Sequence, residues 1–277
     1  MNLYSISPFV KWAGGKKQLL EKLIEKAPKQ FGNYYEPFIG GGAFLFGMQP
    51  QNAVVSDINE QLVNAYNQIK NNPVEVISYV NKFDAIECDK DYYLSMRSAF
   101  NLKIQAGILD AECAAMLIWV NKHCFNGLYR VNQKGLFNVP YNNKITGNSI
   151  VEENIMGISE YLKKCNVSVL CSDFETTCEN VGAGDFVYFD SPYVPESETA
   201  YFTDYAKGGF NKEEHERLAE LFRLLDKKGA LLMLSNNNVE IVHQLYEGFN
   251  IDEIDVRRNI NSKANKRKGK EVIITNY

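Results

Sequence analysis

Two short stretches carry residue types that can do chemistry. Asp190-Ser191-Pro192-Tyr193 follows the apolar run Asp185 to Phe189, which reads as a strand. In an open α/β sheet that position lies at the carboxyl edge, where ligands bind. A carboxylate beside a backbone carbonyl suits one problem in particular. An amine conjugated to a ring is a poor nucleophile, and two acceptors aimed at its hydrogens draw it toward tetrahedral geometry and bear its developing charge. Asp190 supplies the carboxylate and Ser191 the carbonyl. Pro192 stiffens the turn and biases Ser191 toward extended backbone, while Tyr193 offers a ring on which a base can stack. The tetrad reads as an amine clamp, although the same four residues also spell an ordinary Ser-Pro turn at a strand end.

The second stretch is Gly40-Gly41-Gly42, between the strand-like Tyr34 to Ile39 and a short apolar helix, Ala43 to Met48. Bare glycines let a backbone approach a ligand closely. Asp57, one βα unit later at the end of the strand Ala53 to Ser56, can accept both hydroxyls of a ribose. The pair suits any adenosine-containing cofactor, and a glycine turn equally serves a plain tight connection. Position 45 is leucine, so the G-x-G-x-x-G spacing is broken, which counts against a dinucleotide. Phe38, just before the turn, reads equally as core.

The elements that must position these stretches follow from periodicity. Lys16 to Lys26 places Leu19, Leu20, Leu23 and Ile24 on one face of an amphipathic helix, and Leu62, Ala65, Tyr66 and Ile69 mark another before Pro73. From about residue 71 to 154 the strand-helix alternation lapses into the apolar helix Ala111 to Val120 and a polar stretch, Asn121 to Asn148. It resumes with helix Glu152 to Lys164 and strand Val167 to Cys171. Asn211 then caps a helix, with Glu214 as its capping-box partner and Leu218, Leu221, Phe222 and Leu225 facing inward. Gly229 stops that helix before the buried strand Ala230 to Leu234, and two last strands run near Ile251 to Val256 and Glu271 to Thr275. The expected fold is α/β: a doubly wound, Rossmann-like sheet built from residues 1–70 and 151–277, with a mainly helical insertion at 71–150.

Composition excludes several classes. With 277 residues, 45% hydrophobic, 23% charged and only 8 prolines, the chain is neither disordered nor collagenous. Thirty basic against 34 acidic residues give −4, which argues against indiscriminate binding to polyanions. A local basic groove is compatible with that balance, since Val256 to Lys270 holds Arg257, Arg258, Lys263, Lys266, Arg267, Lys268 and Lys270 and no acid. The six cysteines never form C-x-x-C and read as reduced thiols; the three histidines lack metal-ligand spacing, so no metal is expected. No apolar run of about 18 residues occurs and Met1-Asn2-Leu3-Tyr4-Ser5 has no basic-then-apolar leader, so the expected compartment is the cytoplasm and no membrane is involved.

Taken in order, five blocks resemble the Dam-type DNA adenine methyltransferases of the α group. They are Pro8 to Lys16, Glu36 to Ala43, Ser56-Asp57-Ile58-Asn59, Asn126 to Arg130 with Phe137-Asn138-Val139-Pro140, and Asp190 to Tyr193. The resemblance covers nearly the whole chain and implies S-adenosylmethionine as cofactor and double-stranded DNA as substrate. It implies that Trp12, Lys16, Asp57 and Asp190 contact the cofactor, with the Phe38, Gly40 and Gly42 turn beneath it and Asp173-Phe174 near its adenine. The insertion would be the target-recognition domain. Within it Phe125 would stack beside an extruded base, Asn126 contact a phosphate or base, and Arg130 read a guanine, for which the guanidinium fork is suited. Lys11 would face the target base or a phosphate. The tail resembles the family's hairpin, in which Arg257, Arg258, Lys266 and Arg267 would grip phosphates.

Two departures stand out. The family's Asp-Pro-Pro-Tyr has become Asp-Ser-Pro-Tyr, which keeps the carbonyl but loses one ring. After Pro140 the family's Arg-bearing turn is replaced by Tyr141-Asn142-Asn143-Lys144, so GATC is only the leading candidate target. A monomer is expected, with a restriction endonuclease of the same site as a candidate partner. The residues alone also allow a methyltransferase for another planar amine, such as a glutamine side chain or an RNA adenine, or a DNA-binding module that has lost catalysis.

Overall fold

Among the described residues, the apolar runs bounded by glycine, proline and asparagine become seven strands: β1 (Tyr34–Glu36), β2 (Ala53–Asp57), β3 (Val167–Cys171), β4 (Phe186–Phe189), β5 (Leu231–Asn237), β6 (Asn250–Arg257) and β7 (Lys268–Thr275). The computed structural model describes residues 4–14, 16, 19–144, 147–194, 210–257 and 268–277. The strands form one sheet in the order β3-β2-β1-β4-β5-β7-β6. β1 is parallel to β2 and to β4, and β4 to β5, whereas β7 is antiparallel to both β5 and β6. Strand order therefore reverses between β1 and β4, the switch point at which open α/β sheets bind ligands. All four residues of β4 are buried, the continuous apolar pattern of a covered parallel strand.

β1 stops at Glu36 rather than Ile39, because Pro37 has no N–H to give the ladder. β5 runs to Asn237, three residues beyond the expected Leu234, because β7 pairs with its polar end as far as Asn237 opposite Glu271.

Among the described residues the α-helices are α1 (Leu20–Lys26), α2 (Ala43–Met48), α3 (Glu60–Asn71), α4 (Pro73–Asp84), α5 (Lys90–Ala106), α6 (Ala111–His123), α7 (Glu152–Lys164), α8 (Phe174–Thr177), α9 (Lys212–Lys227) and α10 (Glu240–Leu245). Side chains of Asn59, Asp89, Asp110, Asp173 and Asn211 cap α3, α5, α6, α8 and α9. Asn211 accepts the Glu214 N–H as expected, while the Glu214 carboxylate pairs with Arg217. Pro73, expected only to end a helix, also begins α4 at the position where its missing N–H costs nothing.

The chain packs as two compact units. The first comprises residues 1–16, 39–51 and 56–171. Its centre is α6, buried around nearly its whole circumference and packed against α3, α4 and α5, with Ala111, Ala114 and Ala115 allowing close approach. The second comprises residues 17–38, 52–55 and 172–277. There Val187 and Phe189 of β4, Leu232 and Leu234 of β5, and Val272 and Ile274 of β7 pack with Leu218, Phe222 and Leu225 of α9. Each such fully buried side chain contributes about 1.5–3 kcal/mol. Among the described residues no helix is long and apolar enough to cross a membrane.

Candidate active site

In the first unit the glycine turn is kept bare by shape. Gly40 and Gly42 have φ of +47° and +75°, a region that favours glycine. A Cβ on Gly40 would lie 2.9 Å from Trp12 Cδ1, and one on Gly42 2.5 Å from the Tyr66 hydroxyl. That hydroxyl donates to the Gly40 carbonyl at 3.0 Å. Asp57 accepts the Gly40 N–H on Oδ2 at 3.2 Å and the Asn59 N–H on Oδ1 at 2.9 Å. Burial raises its carboxyl above the ordinary value of 3.8, while the backbone N–H groups of Asn59, Gly40 and Ile58 pull it back. Ile58, the next residue, is 78% exposed, an apolar surface beside an acid.

Trp12 touches the turn on one side and stacks on Tyr129 on the other, with centroids 5.2 Å apart and planes inclined by 27°. Burial raises the Tyr129 phenol above its ordinary value, and the neighbouring Asn59 side chain pulls it back. Lys16 is buried, and its Nζ donates to the Gly14 carbonyl at 3.0 Å. Asn121, buried at the end of α6, staples Lys11 to the expected recognition block. Its Oδ1 accepts the Lys11 N–H at 2.9 Å, and its Nδ2 donates to the carbonyls of Lys11 at 2.9 Å and Gly127 at 3.0 Å. A Cβ on Gly127 would sit 2.6 Å from Lys11 Cβ, so only glycine lets the lysine stem lie there. Phe125 is 50% exposed at the start of a 3-10 turn, Phe125–Gly127, in which Asn126 has φ +57°. Arg130 is exposed, and its guanidinium donates to the Asn138 side chain at 2.7 Å and to the Asn138 carbonyl at 3.2 Å.

In the second unit the tetrad begins one residue past β4, and Glu36 and Phe38 lie at and just past the end of β1. Asp190 Oδ1 accepts the Ser235 hydroxyl at 3.1 Å, and Ser235 shares a 2.8 Å hydrogen bond with the Tyr188 hydroxyl. Burial, reinforced by the Asp190 charge, raises the Tyr188 phenol far above its ordinary value, so it stays protonated. Ser191 is buried, its Oγ accepting from Asn236 Nδ2 at 3.3 Å. Pro192 follows, and the Tyr193 hydroxyl donates to Glu271 at 2.7 Å. Phe38 stacks on Phe174, centroids 5.5 Å apart, with Phe210 edge-on to it. Asp173 receives an Arg217 guanidinium that lies 4.3 Å from the centre of the Phe174 ring. Arg257 ends β6; Arg258, Lys266 and Arg267 lie outside the described residues.

Sequence reasoning passed over Tyr66, Asn121, Tyr129, Arg217, Ser235, Asn236 and Glu271. Two signals were present. An apolar helix ending in asparagine, and an apolar strand ending in Ser235-Asn236-Asn237, each place polar side chains where burial demands partners.

The description of the D12 class N6 adenine-specific DNA methyltransferase family matches residues 12–260. The chain belongs to that family. Similar along their length are the Type II methyltransferase M1.LlaDCHI of Lactococcus lactis subsp. cremoris, 41% identical over 100% of this chain and 97% of its own, and the Type II methyltransferase M.MjaIII of Methanocaldococcus jannaschii, 43% identical over 98% and 99%. The DNA adenine methylase of Haemophilus influenzae is 31% identical over 96% of this chain and 92% of its own. The methyltransferase thus has the fold class expected from its sequence and contains the tetrad within the matched span.

Proposed function

We propose that this methyltransferase moves a methyl group from S-adenosylmethionine to the exocyclic amine of an adenine extruded from duplex DNA, with GATC the first site to test. The observation that carries the reading is the tetrad just past β4, beside the switch point, in a chain of this family. The residues present fit the cofactor. The turn at Gly40 and Gly42 has no room for side chains, Asp57 lies at the end of β2 as an acceptor for ribose hydroxyls, and Ile58 offers an apolar face for a ring. In the second unit the Phe38-Phe174 stack and Asp173 would serve the adenine. When bound, S-adenosylmethionine supplies an activated methyl group on a sulfonium.

The chain's own residues supply the rest. Asp190 and the Ser191 carbonyl accept the two amine hydrogens, turn the nitrogen lone pair out of conjugation and bear the positive charge as it develops, so no covalent bond to the protein is needed. Tyr193 stacks on the extruded base, whose amine is otherwise held in the base pair. Lys11, Phe125, Asn126 and Arg130 face the DNA, with Arg130 reading one guanine. Arg257, Arg258, Lys266 and Arg267 neutralise phosphates, so affinity falls with salt. Residues 71–150 form the target-recognition part, and 1–70 with 151–277 the catalytic part. The Type II names of two relatives support pairing with an endonuclease of the same site.

The test is incubation with labelled S-adenosylmethionine and methylation-free plasmid, then mapping of methyladenine at single-base resolution. Label at one short motif, lost in Asp190→Ala while DNA binding persists, is the expected result. Normal turnover in Asp190→Ala removes the assigned role. Label only in RNA or protein, with cofactor bound, moves the activity to another amine.

A further inference from the structure

Three consecutive residues at the end of β5 each hold one part of the loop that carries the tetrad. Ser235 bonds Asp190, Asn236 bonds Ser191, and Asn237 Nδ2 donates to the Val194 carbonyl. Asn236 does more than its neighbours, because its Oδ1 also accepts the Val194 N–H at 3.1 Å. One carboxamide thus spans the loop from Ser191 to Val194. Asn236 and Ser191 are each 2% exposed, so water does not compete for these bonds.

The span coincides with the chain's departure from Asp-Pro-Pro-Tyr. A proline at 191 would fix φ by its ring and remove one rotation next to the carbonyl that faces the amine. Serine has no such constraint, but it has a hydroxyl, and here that hydroxyl has a buried partner. We infer that Asn236 is a positioning residue for methyl transfer, its bond to Ser191 replacing the ring that this tetrad lacks. The inference rests on the reading of Asp190 and Ser191 as the amine's acceptors. Asn236 touches no reacting atom; it sets where the Ser191 carbonyl points.

The experiment compares Ser191→Ala, Asn236→Ala, Ser191→Pro and the double variant Ser191→Pro/Asn236→Ala in the full chain. Turnover on plasmid is measured along with hydrogen exchange of the peptide spanning residues 186–194. Ser191→Ala should lower kcat about tenfold, the effect of one lost buried hydrogen bond on a positioned group, and Asn236→Ala, which also loses the Val194 bond, by at least as much, with KM for cofactor and DNA within about twofold. Both should speed exchange at 191–194. In the double variant, proline should bring kcat to within about threefold of Ser191→Pro alone. Unchanged kcat in Ser191→Ala, or a double variant as slow as Asn236→Ala, overturns the inference. Ser191→Ala leaves the Val194 bond intact, so it decides the matter even if Asn236→Ala folds poorly. If the wild-type protein transfers no methyl to DNA, the functional reading fails on its own. Exchange at 191–194 then still decides, since equal protection in wild type, Ser191→Ala and Asn236→Ala shows that Asn236 does not hold the loop.

Discussion

The turn at Gly40 to Gly42 and the loop from Asp190 to Val194 are kept in shape by opposite means. The turn is defined by what cannot fit: Trp12 and Tyr66 fill the space in which any side chain would stand. The loop is defined by what it bonds, with Ser235, Asn237 and Glu271 each tied to one of its residues and Asn236 to two. Excluded volume is stiff and all-or-none, which suits a surface that holds an unchanging ligand. Hydrogen bonds fix direction at modest energy, which suits acceptors that must aim at one amine. Damage to the turn should therefore appear as lost binding and stability, and damage to the loop's supports as lost rate.

The largest expected effect is that of Asp57→Ala. Removing a charged acceptor of two hydroxyls costs about 3 kcal/mol, so calorimetry should show S-adenosylmethionine bound ~100-fold more weakly, with kcat recovered at saturation. Gly42→Ala comes next. Left-handed backbone and a Cβ pressed on the Tyr66 hydroxyl should cost about 2–3 kcal/mol in urea unfolding. Ser235→Ala is the matching change in the loop; kcat should fall ~10-fold while the unfolding free energy, with the buried Tyr188 hydroxyl losing this partner, falls by about 1 kcal/mol, less than for Gly42→Ala. If Ser235→Ala destabilises as much as Gly42→Ala, the contrast between the two regions is lost.

The smallest effect near neutral pH concerns protonation. In the proposed role Asp57 would accept ribose hydroxyls as a carboxylate, so cofactor affinity should be complete above its pKa and decline as pH falls through it. Because burial raises that pKa, the decline begins at a higher pH than an ordinary value of 3.8 would give. Titrating affinity in wild type against Asp57→Asn checks this, since the variant should show no such decline. The sign for stability is the reverse: a raised folded value favours the folded chain at low pH and that gain is lost as pH rises through it.

Legibility from sequence tracks the distance over which information acts. The bounds of α7 and β3 and the Gly40 to Met48 turn and helix agree with their spacing, because each is set by its own residues. Asp57 was legible for the same reason, standing where a strand stops. Asn236 was not, since its partners Ser191 and Val194 are more than forty residues away and become neighbours only through the pairing of β4 with β5. α4 is hard to see in the sequence because Asn72 and Pro73 end one helix and begin the next without a loop. In the candidate site, residues contributed by strand ends were visible and those that brace them from the next strand were hidden.

β7 sits between β5 and β6 although it is made after both. In the folded sheet the edge of β5 is taken not by the strand next in sequence but by residues 268–275, which also bring Glu271 to Tyr193. A chain interrupted on the ribosome before that point would carry Asp190 and Ser191 but lack both the neighbour that closes β5 and the partner of Tyr193. The order of synthesis thus supplies the partners of Asp190 and Ser191 first and that of Tyr193 later, so a chain cut before residue 268 should hold the first two residues of the tetrad and leave Tyr193 without Glu271.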